Sequence, residues 1–333
     1  MRPSPAPAGP DEVAARLGLG PGHRRWLTTL AAVGQPPDPT PRDGPRETAA
    51  VLRRLGLSGQ DAAEAAGFAP CPDKEPELWW LLERCRHLLA RSLGEPGPAW
   101  QWPSLPAALG GHGRWFFVHV FLAAAPDVRS WSAARGIPGD VVDATLADLG
   151  EKVGLHRVMH GVGGLDKQDW FTLHFRGAVH RLGALQYERV VLARGTVPGV
   201  EGAALSLHIP AEGPLTPDAC EESLRRARAF FPACFPHWPA QRVVCVSWLL
   251  DPQLARYLGP ETNIMRFQRR FRLAAPGEGG YPGDGPIVEF VFRAASPVAV
   301  DQLPRRTTLQ RAVADHLRAG GHWRMHPGWF PLN

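Results

Sequence analysis

The stretch LHIPAEGPLTPDACEESLRRARAFF, residues 207–231, joins a short apolar run to a long amphipathic one through prolines and a glycine. A strand that turns into a helix in this way offers main-chain N–H groups that have no intrahelical acceptor. The helix dipole behind them favours an anion. Gly213 permits close backbone approach, Thr216 or Asp218 can cap the helix, and Pro214 and Pro217 preset φ. An ordinary capped helix would use the same residues, and Glu221 and Glu222 in its first turn would partly oppose a phosphate. His208 ends the strand. An imidazole titrates near neutral pH and could take a proton from an ammonium group; a histidine held by a backbone partner is the alternative. His174 and His180, on an expected hairpin, are weaker candidates for the same work. The five cysteines (Cys71, Cys85, Cys220, Cys234 and Cys245) form no CxxC pair. Cys245 lies among valines and reads as buried rather than nucleophilic. Neither HWRMH nor RCRH has a second ligand pair at a plausible spacing, so no metal is expected.

The elements that must position these residues differ between the two halves. The first half reads as short helices separated by Gly and Pro. The strongest is DKEPELWWLLERCRHLLARSLG, with Asp73 as its expected cap and a stripe of Leu78, Leu81, Leu82, Cys85, Leu88 and Leu89. GRWFFVHVFLAAAPDV is expected to be buried. SWSAARGIPGDVVDATLADLGEKVGLHRVMHG reads as two helices joined by GIPGD. After about residue 165 the pattern alternates, and DWFTLHFRGAVHRLGALQYERVVLA predicts two or three antiparallel strands. ALSLHIP and RVVCVSWLL predict further strands. DPQLARYLG predicts a short helix capped by Asp251 with Pro252 at its first position. NIMRFQRRFRLA and PIVEFVFRA are expected as strands, and TTLQRAVADHLRAGG as a closing helix before an aromatic tail. The expected order of the second half is β-β-β-α-β-α-β-β-α.

Composition narrows the class. The chain has 333 residues, enough for two cores, and 44% of them are hydrophobic, which excludes disorder along its whole length. No apolar run is long enough to span a membrane, and the N-terminus lacks the apolar core of a signal peptide, so a cytoplasmic location is expected. The net charge of +5 is uneven: −1 over residues 1–166 and +6 over residues 167–333. A basic half suits a phosphate-bearing ligand. Only three of the 37 basic residues are lysine, so biased codon composition is the competing explanation.

HIPAEGPLTPDACEESLRRARAFF, SWLLDPQLARYL, TNIMRFQRRF and LQRAVADHLRAGGHWR resemble a two-domain bacterial acyltransferase family. In that family a helical N-acyltransferase N-terminal domain precedes a GNAT-like C-terminal domain, and the resemblance covers most of the chain. It implies an α+β protein: a helical domain over residues 1–160, then a GNAT-like domain over 161–333 with a mixed, largely antiparallel sheet and helices. It implies acyl-coenzyme A as acyl donor and a small-molecule or peptide amine as acceptor, with no nucleic acid. Residues Gly213, Leu215, Thr216 and Asp218 would hold the pyrophosphate. His208, between splayed strands, would be the base. Tyr257 would protonate the leaving thiolate, since a phenol and a thiol have neighbouring pKa ranges. Trp248 would line an acyl pocket, and Asp251 would orient the amine, although capping is its simpler role. The Arg-rich face of RFQRRFRL would meet the 3′-phosphate or lie solvated. The helical domain would cover the acceptor side. The turn PAEGPLTP departs from the usual Q/RxxGxG/A signature, having Gly213 alone, so the phosphate loop is either rebuilt or altered in its binding.

Two other function classes are compatible with these residues. A GNAT-like module could bind a ligand or partner without catalysis. A helix-turn-helix regulator could use residues 127–160, yet that segment holds four basic and five acidic residues, where a DNA reader needs a positive field.

Overall fold

The computed structural model describes residues 9–38, 40, 44–211, 213, 215–275, 278–294 and 299–332. The chain forms two compact units, residues 1–178 and 179–333. Among the described residues no helix is long and apolar enough to cross a membrane.

The first unit is helical. Its helices are α1 (Pro10–Leu17), α2 (Arg24–Val33), α3 (Pro45–Arg54), α4 (Gly59–Ala66), α5 (Pro76–Arg91), α6 (Gly110–Ala133), α7 (Gly139–Leu146), α8 (Asp148–His160) and α9 (Gln168–His174). Helix α6 is the axis. Trp115, Phe116, Phe117, Val118, Val120 and Phe121 are buried all round it, the pattern of a helix enclosed by others. Phe121 stacks on Phe175 at 4.8 Å, and Trp102 on Phe117 at 5.5 Å. In α5, Leu78, Leu81, Leu82, Cys85 and Leu89 are buried as one stripe. Its start differs from the expectation. Glu75, not Asp73, is the residue flanking the first turn, and its carboxylate accepts the Cys71 N–H at 3.0 Å. Pro76 occupies the first helical position, where its missing N–H costs nothing.

The segment DWFTLHF is α9 rather than a strand. Phe171, Leu173 and Phe175 alternate, but Phe171 and Phe175 are also four apart. Both rings meet Phe121, at 5.7 and 4.8 Å, and over seven residues the two periods cannot be told apart. The segment read as a possible helix-turn-helix lies in the core of this unit: Leu149, Gly150, Val153 and His156 of α8 are buried.

The second unit is a mixed, largely antiparallel sheet with helices, the α+β arrangement expected. Its strands are β1 (Val179–Leu182), β2 (Leu185–Val197), β3 (Val200–His208), β4 (Arg242–Ser247), β5 (Arg272–Leu273), β6 (Tyr281–Pro282) and β7 (Arg324–Pro331). Their order is β1-β2-β3-β4-β7-β5, with β6 beside β7. β1, β2 and β3 form an antiparallel meander, α10 (Pro217–Cys234) crosses over, and β4 returns parallel to β3.

Three expectations for this unit change. NIMRFQ is helix α11 (Asn263–Gln268), capped by Thr262, whose hydroxyl accepts the Met265 N–H at 3.4 Å. Phe267 and Phe271 again satisfy both periods; their rings meet at 5.1 Å, and Phe271 packs on Phe330 at 4.9 Å. PIVEFVF lies in helix α12 (Asp284–Phe292), with Ile287 and Val288 buried. The strand expected there is supplied by the aromatic tail, as β7. Pro327, Gly328 and Pro331 argue against a central strand, yet β7 pairs with β4 from His326 to Pro331. The closing helix α13 (Thr308–Arg318) forms as expected, with a capping box between Thr307 and Gln310.

Candidate active site

Strands β3 and β4 are laddered at two positions only, Leu205 with Val243 and Ser206 with Val244. Beyond them the strands part. Leu207 and His208 stay with Tyr187 and Gln186 of β2, while Val246 and Ser247 go with Pro327 and His326 of β7. Past Ser206 and Val244 no ladder pair joins the two strands among the described residues.

Cross-strand pairs share a face. Gln186 is opposite His208 and Glu188 opposite Ser206, so these four lie on one face of the sheet. The other face carries Tyr187, whose hydroxyl is 3.2 Å from that of Ser223 on α10. Burial, above all, raises the Tyr187 phenol well beyond its ordinary range. His208 therefore projects from the sheet face away from α10. Its Nε2 is 2.9 Å from Oε2 of Glu188, with side-chain exposures of 29% and 7%. Glu188 was not found from sequence. QYE shows the alternation, but only the ladder register tells which histidine shares its face.

At the start of α10 the Thr216 hydroxyl accepts the Ala219 N–H at 3.3 Å, so Thr216 is the cap and exposed Asp218 lies in the first turn. Gly213 has φ +86°, a conformation that side chains disfavour, and a Cβ there would meet nothing within 4 Å. Leu215 is half-buried against the apolar cluster of Leu254, Ile287, Val313 and Trp323. Glu212 and Pro214 lie outside the described residues. Glu221 and Glu222 lie past the first turn, whose acidic residue is Asp218, and both are paired. Glu221 is paired with Arg270 at 2.9 Å and Arg228 at 3.1 Å, and Glu222 with Arg225 at 2.6 Å. The Arg270 hydrogen bond, first among several causes, holds the Glu221 carboxyl below its usual range. Arg270 also donates to the Pro217 carbonyl at 3.2 Å, which puts a guanidinium against the first turn. Of the arginines of RFQRRFRL, Arg266 thus comes from a helix end, Arg269 and Arg270 from the following turn, and Arg272 from strand β5. Two of them, Arg266 and Arg269, pair with Glu261 at 2.6 and 3.9 Å.

The remaining candidates are held by the fold. Asp251 is 2% exposed. Its carboxylate accepts the Gln253 N–H at 2.9 Å, the Gln253 side chain at 3.2 Å and the Arg324 N–H at 2.8 Å. It is a cap and a tie to β7, and those three donors oppose its use on an amine. Trp248 is buried in the cluster that also takes Leu215 and Tyr257. The Tyr257 hydroxyl is 3.0 Å from Nδ1 of His316, whose Nε2 lies 3.4 Å from the His322 carbonyl. With Nε2–H donating to that carbonyl, Nδ1 accepts the phenol proton, which opposes its delivery to a thiolate. His208 thus meets Glu188, and Tyr257 meets His316, in separate clusters. Burial pushes the Cys245 thiol up to about 12, in accord with its reading as core. His174 lies on α9, not on a hairpin, and is paired with Asp148 at 3.2 Å. His180 on β1 is buried against Phe230 and Phe235 at 5.0 and 5.2 Å.

Residues 46–177 match an N-acyltransferase N-terminal domain, and residues 179–330 match a GNAT-like C-terminal domain. The chain is similar to a solved acyltransferase in complex with decanoyl-CoA and teicoplanin. The TM-score is 0.90 at 42% identity, over 98% of this chain and 100% of that one. It is similar to an acyltransferase mutant in complex with octanoyl-CoA, with a TM-score of 0.90 at 42% identity over 97% and 99%. The same holds for an acyltransferase in complex with CoA and 10C-teicoplanin, with a TM-score of 0.90 at 41% identity over 98% and 100%. No curated protein matches the chain.

Proposed function

The chain belongs to the acyltransferases that join an N-acyltransferase N-terminal domain to a GNAT-like C-terminal domain, and we propose that it moves a medium-length acyl group onto an amine of a teicoplanin-like acceptor. The enzyme is an N-acyltransferase with an acyl-coenzyme A as donor. The acyl length and the acceptor are taken from the complexes of its structural relatives.

The observation that carries the mechanism is the parting of β3 and β4 next to the N-terminus of α10. Main-chain N–H groups of Gly213, Leu215, Thr216 and Asp218 grip the diphosphate of the donor, helped by the helix dipole and by Arg270. Main-chain groups of β3 and β4 past their last ladder pair orient the thioester. His208, projecting beside it, takes the proton that the amine loses as its nitrogen attacks the acyl carbon. The C–S bond breaks as the C–N bond forms, and the imidazolium returns the proton to the departing sulfur, directly or through water. A single histidine closes the proton balance, so Tyr257 is left to its contact with His316.

Release of thiol from decanoyl-CoA in the presence of teicoplanin tests this reading, with mass spectrometry of the product. The expected result is a product heavier than teicoplanin by one decanoyl group, and a melting midpoint raised by coenzyme A through mass action. Thiol release without an acylated product would overturn the acceptor assignment. A midpoint indifferent to coenzyme A would overturn the cradle.

A further inference from the structure

Resting on the reading of His208 as base, we propose that Glu188 is the positioning residue of that base: it fixes the tautomer of His208 and stabilises the imidazolium formed in each turnover. Glu188 is 5% exposed in the middle of a sheet. Among the described residues His208 is its one polar partner. Taking a carboxylate out of water costs several kcal/mol, and a single hydrogen bond from a side chain that is 29% exposed does not offset it. Stability therefore gives no reason for an acid at this position, whereas a proton-transferring histidine does.

The geometry is suited to the task. Strands β2 and β3 pair continuously from Gln186–His208 to Leu192–Gly202, so the acid and the imidazole are set by two rigid backbones. Gln186 lies on the same face, opposite His208, and its buried Nε2 has no hydrogen-bond partner among the described residues. It therefore does not compete for the carboxylate. The Glu188 carboxylate accepts Nε2–H of His208 at 2.9 Å, which places the basic lone pair on Nδ1. When Nδ1 takes the proton of the amine, the positive charge develops against a fixed, desolvated anion. The Glu188 carboxylate keeps accepting Nε2–H, and the proton leaves from Nδ1 to the thiolate.

Two measurements on the full chain test this. In ¹⁵N-histidine-labelled protein, the His208 ring nitrogens report the tautomer without any substrate. Wild type is expected to hold the proton on Nε2, and Glu188→Ala to give averaged signals. In the thiol-release assay, Glu188→Gln is expected to lower kcat on the order of 10²-fold, with KM for decanoyl-CoA and the melting midpoint at parent values. Glu188→Asp should restore part of the rate, and Glu188→Gln should have no further effect in a His208→Ala background. Parent kcat in Glu188→Gln, an unchanged tautomer in Glu188→Ala, or an equal loss in the His208→Ala background would each overturn the proposal. Parent activity in His208→Ala alone would instead remove the base assignment, while the tautomer measurement still decides what Glu188 does to the ring.

Discussion

Each unit of the protein contains a histidine facing a carboxylate at hydrogen-bond distance, and the two pairs behave in opposite ways. In the helical unit His174 meets Asp148 at 3.2 Å, with both side chains at 1% exposure or less. Asp148 also takes the Lys152 ammonium at 2.9 Å and the Trp170 indole N–H at 2.9 Å. In the sheet unit Glu188, among the described residues, has His208 at a strand end as its one polar partner. The first carboxylate accepts from two other buried or half-buried donors, Lys152 and Trp170, besides facing the imidazole. The second is buried behind a histidine that reaches solvent. Similar chemistry is closed off in one place and, in the proposed mechanism, serves proton transfer in the other. What separates them is the number of partners and access to a substrate.

The largest effect expected from this contrast lies in the helical unit. Burial by itself would raise the Asp148 carboxyl, but the hydrogen bond and charge of His174 and the Lys152 ammonium outweigh it and hold it well below the usual range. Asp148→Ala leaves Lys152 and the Trp170 indole without this acceptor. It should cost about 3–5 kcal/mol of stability, measured by denaturant unfolding, while kcat of the folded fraction stays at the parent value. A fall in kcat at unchanged stability would erase the distinction between the two pairs.

A pH effect of similar sign sharpens it. His119 of α6 is fully buried, and burial lowers its pKa to about 4 although its Nε2 lies 2.9 Å from the Ala65 carbonyl. The unfolded chain binds this proton near pH 6.5 and the folded chain only near 4. Stability therefore falls as pH drops through that window, by about 3 kcal/mol, and levels off below it. Unfolding at pH 7 and pH 4.5 should show this slope in the parent and a shallower one in His119→Gln. Equal slopes would mean that the histidine does not stay neutral in the core.

The smallest effect concerns the third histidine contact, that of Tyr257 with His316. Tyr257→Phe should cost about 1 kcal/mol, the worth of one hydrogen bond, with thiol release unchanged. A large loss of thiol release at preserved stability would restore the phenol as the acid and give the sheet unit a two-residue proton path.

How far the site was legible follows from which residues depend on local order. Thr216, Pro217 and Gly213 announce a helix start in any context, because capping and φ are properties of a few consecutive residues. Asp251 was legible as a cap for the same reason. The segments NIMRFQ, PIVEFVF and DWFTLHF were misread because residues four apart also fall on one strand face. Tertiary packing of Phe271 on Phe330, of Phe171 on Phe121, and of Ile287 and Val288 in the cluster of Val313 and Trp323 selected the helical period. β7 was hidden by its prolines and is a strand because β4 was waiting with an unpaired edge.

The sequence by itself determined the two composition regimes, the helix starts and a histidine at the end of the third strand of its sheet, since each is written within a handful of neighbouring residues. Only the tertiary structure decided that this histidine faces Glu188 and that its strand parts from β4. Register and pairing bring together groups twenty and more residues apart, and no local pattern encodes which of two faces they will share.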